Sequence, residues 1–258
     1  MAEKINRLHP RDYTKPARRG IPAYPRRTIH FVGETAQIRL IDARDKQDMQ
    51  RFRAIDQTLP AEFVEEGSTD KELIDMVKEN FPGNQEGRNG LWTFGLAGLK
   101  NVEQNEIGEL HGEIMVYKDT NVSNLVKEGF IPASRRADVV EVAYGKLNDT
   151  PASLMISGIR QVCLEISRVN SAIEKKSRNP DKPYSIVIAY VKPQNESEGY
   201  IFSAAGFDNK GRVIARDGKD TEEYDLFMLD WDRLHASLQK RADTELFKKP
   251  QPLEKVKV

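Results

Sequence analysis

The chain has 258 residues, and its 40 Lys and Arg balance 40 Asp and Glu, which excludes a uniformly basic nucleic-acid coat or a uniformly acidic mimic. Its one cysteine excludes a disulfide framework and a cysteine-built zinc site. No apolar run nears the roughly 20 residues of a membrane helix, and Met1-Ala2-Glu3-Lys4 lacks the apolar stretch of a secretory signal, so the expected location is cytoplasmic.

The neutral total hides an asymmetry. Residues 1–28 hold eight basic residues (Lys4, Arg7, Arg11, Lys15, Arg18, Arg19, Arg26, Arg27) against Glu3 and Asp12, and the rest of the chain carries the compensating negative charge. Pro10, Pro16, Pro22 and Pro25 interrupt the same stretch. Residues 1–35 therefore read as an extended basic arm. The arm suits an acidic protein partner, with Tyr13 and Tyr24 interleaved, and nucleic acid ranks behind that. The plainer alternative is a solvated tail. Residues 233–258 read as a C-terminal helix and a basic tail.

Between the two lies one domain, residues 36–232. Gln37–Ile41 reads as a strand, and Met49, Phe52 and Ile55 mark a helix opened by Asp42–Asp45. Thr69-x-x-Glu72 has capping-box spacing, with Leu73, Ile74, Val77 and Phe81 on one helical face. Leu91–Leu99, Glu109–Lys118 and Val139–Leu147 are strands. The near-continuous Val139-Val-Glu-Val-Ala-Tyr144 predicts burial on both faces. Pro151 suits a helix start, and Ile159, Val162, Cys163, Ile166, Val169 and Ile173 form its apolar stripe. Tyr184–Val191 is a second central strand, Glu196–Ala205 a short helix, and Arg212–Ala215 and Tyr224–Trp231 two final strands. Asp208-Asn-Lys-Gly211 reads as a turn. The result is an α/β fold with a mixed seven-stranded sheet. A strand–helix–strand crossover puts residues 139–146 and 184–191 side by side and parallel at its centre.

This order, with the motif Asn195-Glu-Ser-Glu-Gly-Tyr200-Ile-Phe202-Ser-Ala-Ala-Gly206-Phe207, resembles the GNAT superfamily of acyl-CoA-dependent N-acyltransferases. The resemblance spans about residues 36–232. It implies a splay between the two central strands that takes acyl-CoA, with acetyl-CoA the simplest donor. The backbone of Val142, Ala143 and Tyr144 would hold the pantetheine arm. A pyrophosphate loop would fall at Ser153–Gly158, with Ser153, Ser157 and Gly158 as its contacts. Ile156 stands there where the family has its first glycine, so the loop is degenerate. Asn195 and Phe202 would line the cofactor site. Phe202 occupies the place where many members carry a tyrosine general acid. Tyr200 is the nearest phenol, though about 160° round the helix.

The residues themselves offer further chemistry. Glu141, within a Val-rich strand, is a candidate general base, or else a structural carboxylate that is solvated or paired with an Arg. His111 and Glu113 share one face of a strand and are candidates for an acceptor-substrate pocket, or for a polar outer face. Cys163 sits on an apolar face as a core thiol. His9, His30, His111 and His235 make no ligand spacing, so no metal is expected. Two functions follow. One is an N-acyltransferase with Glu141 and Tyr200 as candidate catalytic residues. The other is a non-catalytic GNAT-like interaction or assembly subunit that has lost the CoA site.

Overall fold

The structure, a computed structural model, describes residues 27–31, 34–40, 46–56, 90–101, 106–119, 121–174, 184–217 and 220–236. The capping box at Thr69 and the helix expected after it lie outside these residues, as do residues 1–26 of the arm and 237–258 of the tail.

The sheet has eight strands: β1 (Arg27–Phe31), β2 (Glu34–Leu40), β3 (Gly90–Asn101), β4 (Glu106–Lys118), β5 (Val139–Lys146), β6 (Ile186–Val191), β7 (Phe207–Asp217) and β8 (Asp220–Leu229). Their order across the sheet is β1-β2-β3-β4-β5-β6-β8-β7. The eighth strand, unforeseen, is β1. Its antiparallel partner follows after two residues, so Phe31 faces Glu34 and Arg27 faces Ile38. Among the described residues the sheet starts at Arg27, so β1 and the start of β2 fall within the range read as arm. The expected turn at Asp208–Gly211 is instead part of β7. A register shift between Asn209 and Gly211 admits a bulge there, and Gly211 takes φ +112°, which a side chain would disfavour.

All neighbours are antiparallel except β5 and β6, which are parallel as expected. Among the described residues there are five helices: α1 (Lys46–Asp56), α2 (Val122–Lys127), α3 (Ala152–Glu174), α4 (Glu196–Ala205) and, after the last strand, α5 (231–236). A 3₁₀ helix, Ala133–Asp138, leads from α2 into β5. The apolar Val122 and Leu125 of α2 make only one turn of helical periodicity, and both are buried.

Alternation assigns the faces. Val140 and Val142 of β5 join Val187 and Ala189 of β6 in a core with Leu154, Met155, Ile159, Val162, Cys163 and Ile166 of α3. Val139 and Ile188 point the other way, towards Val122, Leu125 and Ile131. Along β4, Ile114 meets α3 at Gly158. On the alternate positions, Glu109 is reached by Arg51 and Gln47 of α1. Cys163 is fully buried in the α3 core, as its apolar face predicts.

Two local features pin α4. Asn195 is its N-cap. Gly206, at φ +111°, ends it and donates to the Phe202 and Ser203 carbonyls, as a left-handed C-terminal glycine does. Phe207 then turns in beneath, its ring 5.2 Å from Phe202. Asp230 N donates to the Gly206 carbonyl at 3.1 Å, and this seats α5 on the turn, with Leu234 buried.

Candidate active site

The parallel ladder is short. Val139 pairs with Ile186, Val140 with Val187 and Glu141 with Ile188, and there it stops. Both strands run on, β5 to Lys146 beside β4 and β6 to Val191 beside β8. Beyond Glu141 the sheet is therefore open between its two central strands. Helices α3 and α4 follow the ends of β5 and β6, so both N-termini lie at this open end. Their aligned peptide dipoles favour negative charge there.

Glu141 sits at the fork. It is half-buried on the face of Val139 and Ala143. Tyr190 of β6, two residues past Ile188, shares this face, and so does Asp119, two past Tyr117, the antiparallel partner of Glu141. Tyr190 donates its hydroxyl to Asp119 Oδ2 at 3.3 Å. Since β5 lies between β4 and β6, this bond bridges over β5. Asp119 Oδ1 accepts from Asn121 N at 2.8 Å. Burial raises the Asp119 carboxyl, and those two hydrogen bonds partly offset it. Burial, with the charges of Asp119 and Glu141 adding to it, holds the Tyr190 phenol protonated far above its ordinary range.

The opposite wall comes from α4. Glu198 N donates to Asn195 Oδ1 at 3.3 Å, and Asn195 Nδ2 donates back to Glu198 Oε2 at 2.9 Å. This reciprocal cap commits the Asn195 amide to the helix. Phe202, one turn on, is fully buried and packs on Tyr144 of β5, with ring centroids 5.6 Å apart. Burial pushes the Tyr144 phenol up, and the Glu198 charge adds to it. Burial also lifts the Glu198 carboxyl to about 7.

Tyr200 does not join this wall. It is 65% exposed, while Ile201, Phe202 and Ala205 turn inward. At 100° per residue the helix carries the Tyr200 hydroxyl to its outer side. Tyr200, a candidate acid by its sequence position, therefore faces away from the wall that Phe202 lines.

The expected phosphate loop also shifts. Ser153–Gly158 forms the first two turns of α3, and the connecting turn is residues 147–151. Ser157 and Gly158 are buried. A Cβ on Gly158 would stand 2.8 Å from Ile114 Cδ1, so this glycine serves the close approach of helix to sheet. Neither residue can reach a phosphate outside. Ser153 is exposed in the first helical turn, the position that can. Val142, Ala143 and Tyr144 lie on β5 past the end of the ladder.

His111 is half-buried, and its carbonyl accepts from Leu147 N (3.0 Å) and Thr150 Oγ1 (2.5 Å). Glu113 is 1% exposed and faces Gly145, four residues along from the Tyr117–Glu141 pair. That separates Glu113 from Glu141 by about 14 Å along the strand. They share a face without forming one cluster. Among the described residues no group of three His, Cys, Asp or Glu is arranged to hold a metal.

Three residues escaped the sequence reading: Asp119, Tyr190 and Glu198. Asn195-x-x-Glu198 has readable capping-box spacing. Tyr190 and Asp119 carry no local signal, because only the sheet order brings them together.

No protein-family model and no curated protein matches the sequence. Solved structures do. RimJ of Mycobacterium smegmatis, in complex with CoA-disulfide, superposes with a TM-score of 0.53 at 12% identity, over 85% of this chain and 96% of its own. A GNAT-family acetyltransferase of Bacillus anthracis gives a TM-score of 0.46 at 11% identity, over 79% of this chain and 98% of its own. An aminoglycoside acetyltransferase with coenzyme A and kanamycin gives 0.48 at 13%, over 79% and 99%. The fold, with its splayed parallel pair and crossover helix, is GNAT-like and is shared with RimJ.

Proposed function

We propose that the chain is an acyl-CoA-dependent N-acyltransferase, with acetyl as the transferred group and an amine as acceptor. The observation that carries this reading is the ladder that ends at Glu141 and Ile188 while both strands continue. Unpaired strand edges there suit a pantetheine arm, whose amides need backbone partners. The exposed first turn of α3, at Ala152 and Ser153, suits a phosphate. RimJ, of the same fold, was solved with a CoA disulfide, which supports the same class of ligand here.

Acyl-CoA would supply a thioester carbonyl open to attack and a thiolate that leaves. The chain's residues would do the rest. The Val142–Tyr144 backbone orients the arm and polarises the carbonyl. Glu141, at the fork, takes the proton of the amine. Tyr190, held by Asp119, closes the face over Glu141 and limits water around it. Isothermal calorimetry with CoA and acetyl-CoA, followed by transfer assays on a panel of amines, tests the reading. Saturable binding with amine-dependent release of CoA supports it. Absence of binding at millimolar ligand removes it.

A second reading, a GNAT-like interaction subunit without CoA, draws on one observation. The α3 entry has no glycine free to approach a phosphate: Ile156 is helical and Gly158 is committed to the core. Acidic partners captured through the basic arm would belong to either reading.

A further inference from the structure

A departing thiolate needs a proton at neutral pH, and the wall beside the splay has a group able to give it. Phe202 cannot donate, and Tyr200 points outward. Tyr144 borders the opening, but its phenol is pushed up and holds its proton. Glu198 lies four residues before Phe202, on the same face of α4. Phe202 packs on Tyr144, and the Glu198 charge acts on the Tyr144 phenol. Glu198 therefore lies on the face of α4 that is turned towards β5 past the end of the ladder. The hydrogen bond from Asn195 Nδ2, 2.9 Å, restrains one carboxyl oxygen and leaves the other available.

We propose that Glu198 is the catalytic proton donor of the transfer, delivering its carboxyl proton to the CoA sulfur from the first turn of α4. The inference rests on the acyltransferase reading above. The balance is complete. The amine nitrogen bonds to the acyl carbon, the carbon–sulfur bond breaks, the amine proton passes to Glu141, and the sulfur receives the proton of Glu198. Solvent then returns a proton to Glu198 and removes one from Glu141. The protonation of Glu198 suits the task, since burial alone lifts its carboxyl to about 7, so a sizeable fraction is protonated at neutral pH. Facing it is Tyr144 from β5. The same turn meets apolar Phe227 of β8 at Gly199, and Glu196 and Ser197 of its own turn are exposed.

The test uses the full chain. The first measurement is calorimetric titration with CoA at pH 6 to 8, in buffers of different ionisation heat. Covering the splay should bury Glu198 further, so the unaltered chain should take up protons near pH 7, and Glu198→Gln should abolish the uptake. The second measurement compares two donors. With acetyl-CoA, Glu198→Gln should lose roughly 10²-fold in kcat with KM little changed. With an acetyl aryl thioester, whose thiolate leaves without a proton, most of that loss should disappear. Equal losses with both donors, an unchanged kcat, or proton uptake surviving in Glu198→Gln would overturn the assignment. If Glu198→Gln proves misfolded by circular dichroism, the uptake measured on the unaltered chain decides alone, and no uptake overturns it. A chain that binds no CoA brings down the acyltransferase reading itself. A chain that transfers acetyl with Glu198→Gln unimpaired brings down only the Glu198 assignment.

Discussion

Tyr190 on β6 donates its hydroxyl to Asp119 Oδ2 at 3.3 Å, and the bond spans the intervening strand β5 on the face that carries Glu141. The bridge ties the two strands beside β5 together where the sheet begins to open. It fixes a buried carboxylate and a protonated phenol next to the proposed base. Tyr190→Phe should therefore cost about 1 kcal/mol in chemical unfolding, because it removes a partner from buried Asp119. Glu141→Gln should leave the unfolding midpoint nearly unchanged and lower kcat with acetyl-CoA by roughly 10²-fold. A fully active Glu141→Gln would make Glu141 structural.

Gly158 is a packing residue. With a Cβ 2.8 Å from Ile114 Cδ1, Gly158→Ala must push α3 off the sheet or displace Ile114. Overpacking of this kind costs about 1–3 kcal/mol. Ile114→Val in the same chain should recover part of it. Denaturant unfolding of the two variants and the double variant checks this, and purely additive losses would show that the two residues do not clash.

Ile156 lies inside α3, half-buried against the main core. Ile156→Gly therefore does not open a phosphate loop. It should lose stability by about 2 kcal/mol or more, from lost packing and the helix cost of glycine. CoA affinity should stay the same or fall. A tighter complex by calorimetry would return the phosphate contact to this turn.

Glu198 gives stability a pH dependence of definite sign. Burial lifts its carboxyl to about 7 from an ordinary value of 4.5. The folded state then holds a proton that the unfolded chain has lost, so this contribution falls as pH rises from about 4.5 through about 7. In Glu198→Gln the unfolding midpoint should decline less across that window. Parallel curves for the two proteins would show that Glu198 is not shifted.

The basic arm should matter for association. Deleting residues 1–26 spares β1, which begins at Arg27, so the melting temperature should change little. Capture of an acidic protein partner should be lost, and in the full chain it should weaken steeply between low and physiological salt, as exposed charges are screened beyond about 8–10 Å. Mass photometry of both proteins with such a partner reads this directly. Unchanged association after truncation would dismiss the arm.

Much of the fold was legible in the sequence because its signals are local. Burial on both faces of Val139–Tyr144, the stripe from Ile159 to Ile166, the start after Pro151, and the Gly206-Phe207 stop of α4 each reflect one strand or one helix meeting water on a known side. Strand β1 was not legible, since five residues of mixed character become a strand only by pairing with β2. The site was legible only in part. The strand that carries Glu141 could be read from its β-branched run, whereas the cradle at Val142–Tyr144 and the loop at Ser157 and Gly158 are what the family resemblance implied, and Ser157 and Gly158 lie inside α3. Whether a glycine meets a phosphate or a neighbouring Ile114 depends on what packs above it, and that is settled by the helix docking on the sheet. The bridge from Tyr190 to Asp119, 71 residues apart in the chain, and the approach of Glu198 to Tyr144 likewise arise only when the sheet order β4-β5-β6 and the return of α4 bring distant segments together. Sequence periodicity carries burial, which is a property of one element. The chemistry at the fork belongs to contacts between elements, and these exist only in the folded chain.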